Sequence, residues 1–203
     1  QGIDHSSVIS YLDVIVEKKA LGDRVAIIGA GGIGFDVSTF LVLGGKSIGL
    51  DAAAYYKEWG IDIEMRHRGG IVKPDVSPAE CEVYLMQRKD EKHGKRLGKT
   101  TGWIHRMTLK HKGVTMLKGV TYHKIDDDGL HFYLKPKDRS TSDLQCLSVD
   151  QVVICAGQES ERTLFDQLKD RRDHVHVIGG AHVAAEVDAK RAIMEAVELA
   201  LTL

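Results

Sequence analysis

The chain has 203 residues, of which 43% are hydrophobic and 28% are charged, a composition typical of a folded globular protein and not of a disordered tail. Its 28 lysines and arginines nearly balance 29 aspartates and glutamates, for a formal net charge of −1, so the chain as a whole offers no electrostatic case for a nucleic-acid partner. No apolar run reaches the roughly 18 residues of a membrane span, and the three widely separated cysteines favour a reducing, cytoplasmic environment.

The first half of the chain alternates apolar strands with helices. Its predicted elements, in chain order, are a helix over 10–16, a strand over 24–28, a helix over 35–43, a short helix over 52–59, a strand over 81–86 and a helix over 103–112. The run 24–28 is β-branched, apolar and short enough for a buried parallel strand. Gly44 and Gly45 end the helix before them, because glycine readily adopts the left-handed backbone that closes a helix.

Short strands dominate the second half. They are predicted near 114–117, 120–125, 130–135, 144–149, 150–155 and 175–178, before a helix over 183–201 with one apolar face. The run Asp126–Gly129 is typical of a β-hairpin turn. The order of strand, glycine turn, helix, strand, β-meander and closing strand predicts the α/β class, as a Rossmann-like dinucleotide-binding domain with a central parallel sheet and a β-meander.

A glycine-rich turn follows the strand over 24–28. It reads Gly29, Ala30, Gly31, Gly32, Ile33, Gly34 and fits G-x-G-x-x-G between a strand and a helix, the context that gives this short motif its meaning. Gly29 permits the tight turn, Gly31 lets a pyrophosphate approach the backbone, and Gly34 allows close packing of helix on strand. The helix N–H groups would face the anion. The alternative is a glycine turn that binds nothing, and the flanking elements favour binding.

The end of the second strand decides which dinucleotide fits. An NAD-binding fold commonly places a carboxylate there to accept from the ribose 2′-hydroxyl, but here Arg88 and Lys89 follow the strand over 81–86. Their cations suit a 2′-phosphate and predict NADPH. Glu82 and Asp62 are rival acids if the strand is misplaced. A solvated basic loop is the other interpretation, and it is preferred for Lys92, Lys95 and Arg96.

Several stretches of the chain resemble a known family. They are Arg24–Asp36, Leu97–Arg106, Lys124–Leu130, Val152–Glu159 and Ile178–Ile193. These resemble the C-terminal, NADPH-binding part of bacterial NADPH-dependent 2,4-dienoyl-CoA reductase, in the flavin and iron–sulfur family of old-yellow-enzyme-like reductases and trimethylamine dehydrogenase. The run 97–106 is the most specific, whereas 46–80 and 136–148 contribute less. The resemblance covers nearly the whole chain.

The resemblance implies a larger flavoprotein of fatty-acid β-oxidation. Its N-terminal TIM barrel would hold FMN and a [4Fe–4S] cluster, followed by FAD- and NADPH-binding domains, and three scattered cysteines cannot supply the four thiolates of that cluster. The chain is therefore expected to be a fragment whose partners are NADP(H) and the rest of its own polypeptide. Its expected parts are an entry segment, 1–22, from an absent FAD domain, an NADPH-binding domain, 23–150, and a returning FAD-domain segment, 151–203.

The resemblance also implies roles for individual residues. Those of the glycine turn would cradle the NADPH pyrophosphate, Arg88 and Lys89 would hold the 2′-phosphate, and further cofactor contacts would come from Lys99, Thr100, Thr101, Ala156, Gly157, Gln158, Gly179 and Gly180. The turn at 156–158 is equally compatible with a simple strand end. Gly179 and Gly180 would lie against FAD, although the wider class often has an aspartate where this chain has Gly180. His182 follows Gly180 two residues further along the chain.

No catalytic and no metal-ligating residue is predicted. Hydride transfer belongs to the nicotinamide and the flavin, while protein supplies binding and orientation. Among the histidines only His174 and His176 have a spacing that could chelate on one strand face, and a surface role is the preferred interpretation. Two alternatives to a dienoyl-CoA reductase stay open. One is a related flavoprotein, such as an amine dehydrogenase or an enoate reductase, and the other is a non-enzymatic nucleotide-binding module.

Overall fold

Residues 1–156 and 157–203 form two separate structural units. The computed structural model describes residues 1–134, 143–185 and 187–203. Residue 135, the end of one predicted strand, and residue 186, within the predicted C-terminal helix, lie outside the described residues. The first unit contains every described strand, and these are β1 Val8–Ser10, β2 Arg24–Ile28, β3 Glu82–Met86, β4 Thr115–Leu117, β5 Val120–Asp126, β6 Gly129–Leu134, β7 Gln145–Leu147 and β8 Gln151–Ile154.

Five of these strands build a parallel sheet in the order β1-β8-β2-β3-β4. The central strand β2 and its neighbour β8 are apolar after their first residues, as expected for strands that are covered on both faces. Ile28 at the end of β2 lies opposite Met86 of β3 and Ile154 of β8. Three strands therefore end at the same edge of the sheet. This confirms the predicted Rossmann-like fold with a central parallel sheet.

The helices of the first unit are α1 Tyr11–Ile15, α2 Gly32–Val42, α3 Ala52–Trp59 and α4 Gly102–His111. Helix α2 buries Phe35, Val37, Leu41 and Val42 in the same cluster as β2 and β3, so its apolar face covers the sheet. It ends where Gly44 and Gly45 take positive φ angles. Within the described residues, no helix has the length and apolar character needed to cross a membrane.

Strands β5, β6 and β7 form the predicted antiparallel meander. Asp126 lies opposite Gly129 in the first hairpin, which confirms the predicted turn. Leu130 and Phe132 of the meander join a second buried cluster together with Ala26 and Met86 of the parallel sheet. The meander therefore covers one face of that sheet, and α2 covers the other.

A buried ion pair ties residues 46–80 to the rest of the first unit. The Lys112 ammonium, just after α4, lies 2.7 Å from a Glu58 carboxylate oxygen, and the two side chains are 1% and 9% exposed. Lys112 also donates to the carbonyl oxygen of Ser77 at 2.9 Å and to its hydroxyl at 2.6 Å. Polar groups that are buried this deeply need such partners. The pair thus fixes α3, which carries Glu58, against the end of α4.

The second unit contains α5 Thr163–Leu168, α6 Gly179–His182 and α7 Ala189–Ala200. Helix α7 begins at Ala189 and not near 183, because the Asp188 carboxylate caps it by accepting from the backbone N–H of Arg191. The predicted strand over 175–178 is wrong. A strand needs a neighbour for its backbone groups, and the described residues of this unit include no other strand.

The sequence reading also missed β1. Three residues, Val8–Ser10, pair in parallel with β8, and Ser10 then caps α1. Residues 1–22 and 151–156 therefore lie in the same structural unit as 23–150. The functional division of the chain at 22 and 150 stays a prediction.

Candidate functional site

The glycine turn connects β2 to α2 at the sheet edge where three strands end. Gly29 has a φ of +114°, and a Cβ there would lie 2.6 Å from the Cys155 carbonyl oxygen. A Cβ on Gly34 would lie 1.8 Å from the Gly29 carbonyl oxygen. Both distances are far below van der Waals contact with backbone that cannot move aside. These two glycines are therefore required by the fold of the turn itself.

Gly31 and Gly32 lie in a different environment. A Cβ on either residue would meet no protein atom within 4 Å. Gly31 is the N-cap of α2 and provides no side-chain cap, so the first backbone N–H groups of the helix have no acceptor from the N-cap side chain. Such a helix start is an anion-binding position. Packing gives no reason for glycine at Gly31 and Gly32, whereas close approach of a ligand to the backbone would.

A cavity of about 220 Å³ opens beside this turn. Its lining consists of Ile28, Gly29, Ala30, Gly31, Gln87, Arg88, Lys89, Glu91, Lys92, Gly94, Lys95, Arg96, Tyr122 and Ala156. Five of the described lining residues are cationic and one is a carboxylate. Lys95 bonds that carboxylate, Glu91, at 3.0 Å and lowers its pKa, so Glu91 stays ionised at neutral pH. The cavity is strongly positive and suits a ligand with several negative charges.

The end of β3 lies beside the glycine turn. Arg88 and Lys89 follow β3, which pairs directly with β2, and both residues line the cavity. The rival acids lie elsewhere. Glu82 begins β3 and pairs with Arg24 at 3.1 Å, and Asp62 bonds His67 at 2.8 Å in the segment before β3. The residue directly after β3 is Gln87 and not a carboxylate, and the carboxylate of the lining, Glu91, follows Arg88 and Lys89 in the chain and bonds Lys95.

Gln87 supports the loop that carries the two cations. Its side-chain amide donates to the backbone carbonyl oxygens of Lys89 at 2.9 Å and of Glu91 at 2.6 Å. The residue closes the loop on itself and turns the chain after β3. An uncharged amide at a strand end is a weak signal of this bracing role.

Tyr122 on β5 is a lining residue that the sequence did not indicate. Its hydroxyl is buried and has no hydrogen-bond partner among the described residues. Burial raises the pKa of this phenol strongly, and the nearby Arg88 charge opposes that effect. Tyr122 belongs to a strand far along the chain from the glycine turn. Only the packing of the meander on the parallel sheet brings it to the cavity.

The predicted cofactor contacts are only partly brought together. The cavity lining includes Gly29, Ala30, Gly31, Arg88, Lys89 and Ala156, and the first turn of α2 contains Gly32, Ile33 and Gly34. Lys99, Thr100 and Thr101 lie in the exposed turn before α4, outside the lining. Gly157 and Gln158 begin the second unit, and Gly179 and Gly180 begin its helix α6. Cofactor roles for these residues stay predictions.

The hairpin between β5 and β6 gathers a small polar group away from this lining. Asp126, Asp128 and His131 each offer one potential metal-ligating atom, and these atoms lie within 4.8 Å of one another. The Asp126 carboxylate bonds Lys124 and His131, and these bonds, led by that of Lys124, hold its pKa well below the usual range. Lys124 therefore already supplies positive charge to this turn.

Comparisons with known proteins identify the family of this chain and similar folds. Residues 5–177 match the family described as pyridine nucleotide-disulphide oxidoreductase. Among solved structures, a 2-naphthoyl-CoA reductase in complex with 2-naphthoyl-CoA matches 100% of this chain with 18% identity and a TM-score of 0.68. Histamine dehydrogenase from Rhizobium sp. 4-9 matches 97% with 14% identity and a TM-score of 0.63.

A third similar structure is 6-hydroxypseudooxynicotine amine oxidase from Pseudomonas geniculata N1, with 97% of this chain covered, 15% identity and a TM-score of 0.62. The chain spans about a quarter, 24%, of the length of each of these three solved chains. At these identities the likeness is one of fold.

Proposed function

The chain belongs to the pyridine nucleotide-disulphide oxidoreductase family, and from this premise we propose that it binds NADPH and presents it to FAD within a larger flavin-dependent reductase. The observation that carries the proposal is the open start of α2. A Cβ on Gly31 or Gly32 would meet no protein atom within 4 Å, no side chain caps the helix, and Gly31 lines a cavity with five cationic side chains. Helix amides bind a pyrophosphate, and clustered cations bind a further phosphate.

The position of Arg88 and Lys89 favours NADPH over NADH. Both residues follow the strand next to β2, where a nucleotide that lies on the glycine turn places its adenosine ribose. A guanidinium matches a phosphate with two parallel hydrogen bonds, whereas a bare ribose 2′-hydroxyl gains nothing comparable from a cation. The residue directly after this strand is Gln87 and not a carboxylate, and Glu91 further along the loop is paired with Lys95, which supports the same choice.

The parent enzyme is proposed to resemble 2,4-dienoyl-CoA reductase. Support comes from the residue runs that resemble this family and from the fold shared with a 2-naphthoyl-CoA reductase. FAD, FMN and a [4Fe–4S] cluster would be held mainly by the rest of that polypeptide, where the substrate would also be reduced. Hydride transfer is chemistry that the nicotinamide and flavin supply. Residues of this chain would bind and orient the NADPH.

A direct binding experiment tests the nucleotide assignment. The chain is titrated with NADPH and, separately, with NADH, and heat or nucleotide fluorescence reports the Kd of each. We expect NADPH to bind and NADH to bind at least tenfold more weakly, since hydrogen bonds to a charged phosphate contribute about 1.5–3 kcal/mol. Equal affinities would contradict the NADPH assignment. Failure to bind either nucleotide would contradict the proposed function.

The Gly31→Ala variant tests whether the open helix start is the binding surface. We expect NADPH affinity to fall about tenfold, because a methyl group at this position keeps the pyrophosphate away from the helix amides. The free energy of unfolding should fall by no more than about 1 kcal/mol, since the new Cβ meets no protein atom within 4 Å and the only cost is that alanine is a poorer N-cap than glycine. Nucleotide titration and urea denaturation measure the two quantities.

The Gly49→Ala variant is the matched control. Gly49 lies in a short 3₁₀ turn of the 46–80 segment, and a Cβ there would make only an ordinary contact with the Ser47 hydroxyl at 3.4 Å. Its NADPH affinity should equal that of the unsubstituted chain. If Gly31→Ala bound NADPH equally well, the pyrophosphate would not lie on α2.

A further inference from the structure

The Tyr122 hydroxyl is a buried polar atom that no described protein group satisfies. Its ring packs in the cluster that joins the meander to the parallel sheet. A buried hydroxyl without a hydrogen bond destabilises a protein by about 1–3 kcal/mol. Buried hydroxyls without a hydrogen-bond partner are rare, and each calls for a specific explanation, such as a ligand that accepts the missing hydrogen bond. Phenylalanine would fill the same space without that cost.

The location of Tyr122 indicates which group accepts a hydrogen bond from its hydroxyl. Tyr122 lines the same cavity as Gly31, Arg88 and Lys89, and the Arg88 charge acts on the phenol. We infer that the Tyr122 hydroxyl donates a hydrogen bond to the 2′-phosphate of NADPH, beside the Arg88 guanidinium, and so contributes to discrimination between NADPH and NADH. This inference rests on the proposed function and adds a specificity residue to the same site.

The chemistry of the cavity supports a donor role for Tyr122. Burial raises the pKa of the phenol, so the hydroxyl keeps its proton at neutral pH and can donate a hydrogen bond. The other neutral polar side chain of the described lining, Gln87, already donates to two backbone carbonyls. A phosphate offers three acceptor oxygens, more than one guanidinium satisfies. A phenol that lacks an acceptor and a phosphate with spare oxygens are complementary.

The Tyr122→Phe variant tests this inference. Removal of a hydrogen bond to a charged group should raise the Kd for NADPH about tenfold and leave the Kd for NADH within about twofold. Stability should not fall, and thermal unfolding of the free chain should occur at the same or a higher temperature, because the unsatisfied hydroxyl is gone. A residue with a purely structural role would show the reverse pattern of lower stability and unchanged selectivity.

The control is Tyr133→Phe, which removes a phenol from the neighbouring strand β6. Tyr133 contacts the His123 ring and does not line the cavity, so its loss should leave both Kd values unchanged. An unchanged NADPH affinity in Tyr122→Phe, or an equal loss for NADPH and NADH, would overturn the inference while NADPH binding by the unsubstituted chain upholds the proposed function. An unsubstituted chain that binds neither nucleotide would overturn both.

A double-mutant cycle with Arg88→Ala examines the shared phosphate directly. If both side chains contact one phosphate, the loss in the double variant should differ measurably from the sum of the two single losses. Strict additivity, together with a loss of NADPH selectivity in only one single variant, would place the two groups on different parts of the ligand and overturn the inference.

Discussion

Replacement of Arg88 by alanine is expected to weaken NADPH binding about a hundredfold and to leave NADH binding nearly unchanged. Arg88 follows β3 and lines the cavity beside the glycine turn. A guanidinium that binds a phosphate through two charged hydrogen bonds contributes about 1.5–3 kcal/mol, and the upper part of this range corresponds to a hundredfold in Kd. Titration of the variant with each nucleotide in low salt measures both constants.

The matched control is Arg66→Ala. Arg66 is an exposed arginine that pairs with Glu64 at 2.6 Å in the segment between β2 and β3, and its loss should leave both affinities unchanged. Higher salt should weaken NADPH binding to the unsubstituted chain more than to Arg88→Ala, because the variant has lost one charge contact with the phosphate. Parallel losses for NADPH and NADH in Arg88→Ala would mean that the residue does not read the 2′-phosphate.

The parts of the site that lie next to one another in sequence could be predicted without a structure. The glycine turn follows an apolar strand directly, and both requirements of the turn, a positive φ at Gly29 and close packing at Gly34, are local. The prediction of a strand over 81–86 was correct because a buried parallel strand has a strong apolar pattern. Once β3 is placed, the location of Arg88 follows from chain order.

The parts that depend on tertiary packing could not be predicted. Tyr122 reaches the cavity through the stacking of the meander on the sheet, and no local pattern reports that arrangement. Strand β1 has three residues, too few for an alternation to be visible. The run 175–178 has the β-branched composition of a strand but lacks a partner in the described part of its unit. Composition shows what a segment can form, and a neighbour decides whether it forms.

The buried pair of Lys112 and Glu58 is a further tertiary feature that the sequence does not reveal. Replacement of Lys112 by methionine is expected to lower the free energy of unfolding by about 3–5 kcal/mol, because it leaves the Glu58 carboxylate buried and unpaired. The lysine side chain is 1% exposed and lies 2.7 Å from Glu58. Methionine keeps most of the side-chain volume, so the loss would come from charge and hydrogen bonding. Urea denaturation followed by circular dichroism measures this difference.

Lys110→Met provides the control, because Lys110 is an exposed lysine on the same helix, α4. Its replacement should change the free energy of unfolding by no more than about 0.5 kcal/mol. The double variant Glu58→Gln with Lys112→Met should recover part of the loss, since it removes the unpaired charge. A Lys112→Met chain as stable as the control would show that the pair contributes nothing to the docking of α3.

The pH dependence of the two chains separates charge from packing. Burial acts to raise the pKa of Glu58, but hydrogen bonds from Lys112 and Ser77 outweigh it and hold the pKa below its ordinary value of 4.5. The native pair therefore stabilises the fold fully above that value, and this contribution is lost as the pH falls through the lowered pKa. In Lys112→Met the hydrogen bond from Lys112 is gone, so burial raises the pKa of Glu58 with less opposition. Glu58 is then protonated at a higher pH, and its protonation removes the destabilising buried charge from the variant. The stability difference between the two chains should narrow steadily from pH 7 towards pH 4, whereas a loss that came from packing alone would stay constant over the same range.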